Sequence, residues 1–146
     1  MDNQITSLVH ILLVEDNEGD ILLTLEAFEE CKVKTEISVV KNGQEALDFL
    51  FQRGEFTNAE KPDLILLDIN IPIFNGHEVL ERIKSDSNLK KIPVIMLTTS
   101  SNQKDLDKAY GNHCNSYIQK PLEISEFLIA ILKIEEFWLE LSTLPD

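Results

Sequence analysis

At 146 residues the chain has the size of one domain able to bury a core, and its 43% hydrophobic and 27% charged residues match a folded, water-soluble protein rather than a disordered one. Acidic residues outnumber basic ones by 26 to 13, and a net charge of −13 opposes unaided binding to nucleic acid or to an anionic membrane. No apolar run approaches the ~18 residues of a membrane-spanning helix, and Met1–Ser7 lacks the basic and apolar regions of a signal peptide, so a cytoplasmic location is expected. Cys31 and Cys114 stand far apart without a Cys-x-x-Cys pair, which predicts free thiols.

Apolar runs of strand length alternate with segments of helical spacing. His10–Val14 is the first predicted strand, followed by a helical stripe of Leu22, Leu25 and Phe28. Glu36–Val40 is the second strand. The turn signal Asn42-Gly43 then precedes a stripe of Ala46, Phe49 and Leu50, and Gln52–Lys61 reads as a polar surface excursion. Leu64–Leu67 is the third strand, and Asn75-Gly76 opens a helix with Val79, Leu80 and Ile83 on one face. Pro93–Leu97 is the fourth, then a stripe of Leu106, Ala109 and Tyr110. Ser116–Ile118 is the fifth, and Lys120-Pro121 leads into Ile124, Phe127, Leu128, Ile131 and Ile134. Several strands are apolar on both faces, as a sheet covered by helices on each side requires. The pattern is (βα)5, an α/β fold with a parallel sheet, expected in the flavodoxin-like order 2-1-3-4-5.

Polar residues end these strands. The first is followed by Glu15-Asp16 and the third by Asp68, while Thr98 and Lys120 follow the fourth and fifth. In the expected order strands 1, 3, 4 and 5 are neighbours, so these side chains converge on one edge. Carboxylates ~4 Å apart at an effective dielectric of ~20 repel by about 4 kcal/mol per pair, which calls for a cation. Mg2+, a hard ion that takes oxygen ligands and keeps exchangeable waters, suits the set. Asp68 can act as a carboxylate nucleophile toward phosphorus. Asp16 and Glu15 can hold the metal, with the backbone carbonyl of Asn70, and Lys120 and Thr98 can meet phosphoryl oxygens. Any one of these residues alone would be an ordinary cap or turn; Asp16 or Asn17, for example, can cap the first helix.

The segments Ile11-Leu12-Leu13-Val14-Glu15-Asp16-Asn17, Asp63–Pro72, Asn75-Gly76, Pro93–Thr98 and Lys120-Pro121 resemble the signature of response-regulator receiver domains, over nearly the whole chain. The resemblance implies a two-component phosphorelay in which a histidine kinase phosphorylates Asp68. It implies that Thr98 moves toward the phosphate, that Tyr117 rotates inward as its switch partner, and that Lys120-Pro121 is a cis peptide. Asp16–Ile21, the loop at Gln52–Lys61 and Glu136-Phe137-Trp138-Leu139 are similar to single-domain regulators of bacterial phytochrome kinases. Phosphoryl lifetime is then expected to be tuned at Asn70, Thr99 and Ser100. Receivers commonly carry Ala after the switch hydroxyl; Thr99 stands there instead, and its bulk predicts slow self-dephosphorylation.

A phosphatase of the haloacid-dehalogenase type would need an acid two residues after the nucleophile, where this chain has Asn70. A flavodoxin-like cofactor site would need a glycine- and hydroxyl-rich loop where Glu15-Asp16-Asn17-Glu18 stands. A degenerate receiver serving only as a docking surface is disfavoured by the intact acidic set. The expected organisation is one receiver domain over 1–146, with a core of about 8–134 and an extension of about 135–146, signalling by protein contact rather than turning over a substrate. Tyr110, Tyr117, Phe137 and Trp138 mark an expected homodimer surface on helix 4, strand 5 and helix 5, because the apolar end exceeds what one helical face covers.

Overall fold

The computed structural model describes residues 9–29, 34–98 and 116–119. Its elements are β1 (Val9–Val14), α1 (Glu18–Glu29), β2 (Thr35–Val40), α2 (Gly43–Leu50), β3 (Leu64–Asp68), α3 (Gly76–Ser85), β4 (Val94–Thr98) and β5 (Ser116–Gln119), with 3-10 turns at Gly54–Phe56 and Leu89–Lys91. The five strands form one sheet in the order β2-β1-β3-β4-β5, and every pairing is parallel. The fold class is that of the alternating pattern, and the strand order is the one expected for a flavodoxin-like sheet. Stripes proposed beyond the fourth strand, and the Lys120-Pro121 bond, lie outside the described residues.

Alternation along the strands divides the core in two. Leu12, Val14, Ile65, Leu67, Val94 and Met96 face α2 and α3. Ile11, Leu13, Leu64, Leu66, Ile95 and Leu97 pack with Ile21, Ala27 and Phe28 of α1. Strand neighbours point to opposite faces, so a run that is apolar throughout serves both layers. Helix starts are fixed by asparagines. Asn42 Oδ1 accepts from the Glu45 amide at 2.8 Å, and Asn17 Oδ1 accepts from the Asp20 amide at 2.9 Å, which makes Asn17 rather than Asp16 the α1 cap. Asn75 forms a full capping box with Glu78.

Two expectations need correction. The core face of α1 is Ile21, Thr24, Ala27 and Phe28, whereas Leu22 is 57% exposed and Leu25 only partly buried. The turn that carries Thr24 inward is compatible with burial because its hydroxyl donates to the Asp20 carbonyl at 2.7 Å. The Gln52–Lys61 segment is also more than a surface excursion. Phe56 and Ala59 fold back against the α2–α3 core, with the Phe56 ring centroid 5.5 Å from that of Phe49. An exchange between Asp63 and the His10 backbone ties the end of this segment to β1: Asp63 Oδ2 accepts from the His10 amide at 2.9 Å, and the Asp63 amide donates to the His10 carbonyl at 2.7 Å.

Candidate functional site

Adjacent strands deliver the acidic residues to one place. Val14 of β1 is in register with Leu67 of β3, so the next residues, Glu15 and Asp68, leave the sheet side by side. The Glu15 amide still donates to the Val40 carbonyl of β2 at 3.0 Å, which holds this turn against the sheet edge. One ligand oxygen from each of Glu15, Asp16 and Asp68 lies within 4.8 Å of the others. Glu15 is 1% exposed and Asp68 6%, while Asp16 faces solvent.

Local hydrogen bonds orient two of the three. Asp68 Oδ1 accepts from the Asn70 amide at 3.0 Å, and Glu15 Oε2 accepts from the Asn17 amide at 3.2 Å. Each is a short turn in which a carboxylate binds the amide two residues on. Two buried acids and one exposed acid with all-oxygen donors fit a hard divalent cation: the cluster concentrates negative charge, and one side is open to water.

The remaining predicted residues are distributed as follows. Asp68 pairs in register with Leu97, which places Thr98, the last residue of β4, one step beyond the Asp68 backbone. Thr98 in turn pairs with Gln119 at the end of β5, and Tyr117 pairs with Met96. Lys120, Thr99, Ser100, Tyr110, Phe137 and Trp138 lie outside the described residues, as do Cys31 and Cys114.

Two contributors were missed from sequence. Gly43 and Gly76 flank the loop after Asp68, residues 69–75, at distances that leave no room for a side chain. In sequence each belongs to an Asn-Gly turn signal, and nothing local announces a tertiary close approach.

The sequence matches the response regulator receiver domain family over residues 11–132. Among curated relatives, response regulator Rcp1 of Synechocystis sp. is 42% identical over 135 residues, covering 92% of each chain. A probable methanogenesis regulatory protein, FilR2 of Methanothrix harundinacea, is 42% identical over 129 residues, covering 88% of this chain and 83% of its own. Among solved structures, the phosphorylated cyanobacterial phytochrome response regulator RcpA superposes with a TM-score of 0.89 at 47% identity, covering 96% of this chain and 100% of that one. The Mn(2+)-bound form of Rcp1 gives a TM-score of 0.87 at 41% identity, covering 94% of this chain and 99% of that one. With its sheet order, its acidic cluster and a match across most of its length, the chain belongs to the response regulator receiver domain family.

Proposed function

We propose that Asp68 is the phosphoryl acceptor of this response regulator, that a histidine kinase is the donor, and that Mg2+ is the working metal. The convergence of Glu15, Asp16 and Asp68 at the ends of β1 and β3 carries this reading. One Asp68 oxygen is oriented by the Asn70 amide, and the carboxylate forms a bond to phosphorus as the donor's imidazole nitrogen departs. Glu15, Asp16, Asp68 and the Asn70 carbonyl would hold the metal, which when bound neutralises phosphoryl oxygens as charge develops on them. Lys120 supplies a cation for another phosphoryl oxygen. Thr98 donates its hydroxyl to the same group, and Tyr117 follows it inward as the switch partner.

The input belongs to a phytochrome-type kinase on this reading, supported by 47% identity to a protein named as a phytochrome response regulator. The whole chain acts as one receiver domain, with a core of about 8–134, and signals by protein contact from the cytoplasm. Among the described residues no helix is long and apolar enough to cross a membrane. A homodimer forms through Tyr110, Tyr117, Phe137 and Trp138; sedimentation showing only monomer at high concentration would count against it. Thr99, with Asn70 and Ser100, sets a long phosphoryl lifetime, so Thr99→Ala should hasten decay of the phosphorylated protein, and an unchanged rate rejects that role.

The deciding experiment incubates wild type and Asp68→Asn with acetyl phosphate and Mg2+ and follows intact mass. Wild type should gain one phosphoryl group, the variant none, and wild type without Mg2+ very little. Equal gain in both proteins, or gain in neither, defeats the assignment.

A further inference from the structure

The loop that follows Asp68 is held in an unfavourable backbone shape. Ile73 has φ of 72° and is 68% exposed, although a β-branched residue resists the left-handed region. No burial of its own side chain offsets that strain, so its surroundings must impose it. Two glycines, one at either end, form those surroundings.

A Cβ on Gly76 would lie 2.5 Å from the Asp68 carbonyl oxygen and 2.7 Å from the Ile69 Cα, so α3 starts directly against the backbone of the acceptor. A Cβ on Gly43 would lie 2.1 Å from the Phe74 carbonyl oxygen and 2.6 Å from the Phe74 Cβ. The Gly43 amide also donates to the Pro72 carbonyl at 3.1 Å. Gly43 has no positive φ, so glycine is required there for close approach rather than for conformational freedom. Between the glycines, the Ile71 and Gly76 amides both donate to the Ile69 carbonyl, at 3.2 Å and 2.9 Å, and Ile69 and Ile71 are buried. A push at Phe74 therefore has few compliant bonds to absorb it before Asn70 and Asp68.

We propose that Gly43, in the first turn of α2 and outside the acidic cluster, is a positioning residue for the phosphoryl and metal site. Its bare Cα and its amide clamp the strained loop 69–75 in the shape that sets the Asn70 carbonyl and the Asp68 carboxylate. The proposal rests on the reading of Asp68 as acceptor, yet metal binding tests it separately.

The test compares wild type, Gly43→Ala, Ile83→Val and Asp68→Asn, all below their melting temperatures. Two quantities are read: the phosphorylation rate at saturating acetyl phosphate, and the Mn2+ dissociation constant by titration calorimetry. Small misplacements of reacting groups cost large factors in rate, so Gly43→Ala should lose about tenfold to a hundredfold and bind Mn2+ several-fold more weakly. Ile83→Val, a fully buried change far along α3, should lower Tm and leave both readouts near wild type. A folded Gly43→Ala with wild-type values, or with losses no larger than those of Ile83→Val, overturns the proposal. If Gly43→Ala does not fold, Asn42→Ala, which removes the cap that pins the same helical turn, should weaken Mn2+ binding measurably; wild-type affinity there overturns it equally. Failure of wild type to take up phosphate defeats the acceptor reading instead, and the Mn2+ affinities still decide the role of Gly43.

Discussion

Helices α1 and α3 cover opposite faces of one sheet and are held by different means. α3 has a capping box at its start, Arg82 and Lys84 in its last turn, and Val79, Leu80 and Ile83 buried together with His77 of its first turn. α1 has a single cap from Asn17, no basic residue in its last turn, and a buried Thr24 beside an exposed Leu22. The α3 sequence specifies its own ends, dipole complement and core face. α1 takes its orientation from the sheet. It has apolar residues around much of its circumference, so tertiary packing chooses which of them go inside.

Substitutions in the two helices can break or sharpen that contrast. The largest effect is expected at Leu80, which is fully buried; Leu80→Ala should cost about 2–5 kcal/mol in urea unfolding. Next comes Asn75→Ala, which removes the side-chain half of the capping box while keeping the residue-75 amide that donates to Glu78, and should cost about 1 kcal/mol. Leu22→Ala should change stability by less than about 0.5 kcal/mol, despite deleting the same side chain as the Leu80 variant. A Leu22 cost comparable to that of Leu80 would mean that α1 is as tightly specified as α3.

The smallest effect lies just past α3 and depends on pH. Amides of Leu89 and Asn88 donate to Asp86 Oδ1, each at 2.9 Å, and these bonds, with Lys61 nearby, hold its carboxyl below the ordinary value. A folded-state pKa below the unfolded one gives stability that is present above about pH 4 and lost as pH falls through the folded value. Asp86→Asn should therefore unfold slightly more easily than wild type at neutral pH, and the gap should close in acid. A gap that is constant with pH would assign the loss to geometry rather than charge.

Most of the architecture was legible because strand pattern, turn signals and strand-end acids each carry local information. The Leu64–Leu67 run and Asn75-Gly76 were correctly placed, and the convergence of Glu15 with Asp68 follows once the strand order is known. Misreadings arose where local contrast was missing. Ile21, Leu22, Leu23 and Leu25 are all apolar, and Thr24 looks polar but is buried through a bond to its own helix. Phe56 was hidden within a polar segment. The contact of Gly43 with Phe74 spans two elements, so no window of sequence around either residue contains it.

The strand order also bears on how the chain is assembled. β1 lies between β2 and β3, and β4 and β5 each lie on the outer edge of the strand before them in the chain. No strand has to be inserted between two that are already paired. The sheet can thus grow in the order in which the chain emerges from the ribosome, and each parallel pairing closes only the loop just completed. Asp68 meets Glu15 and Asp16 through the β1–β3 pairing alone, so the acidic cluster needs nothing from β4, the strand that brings Thr98.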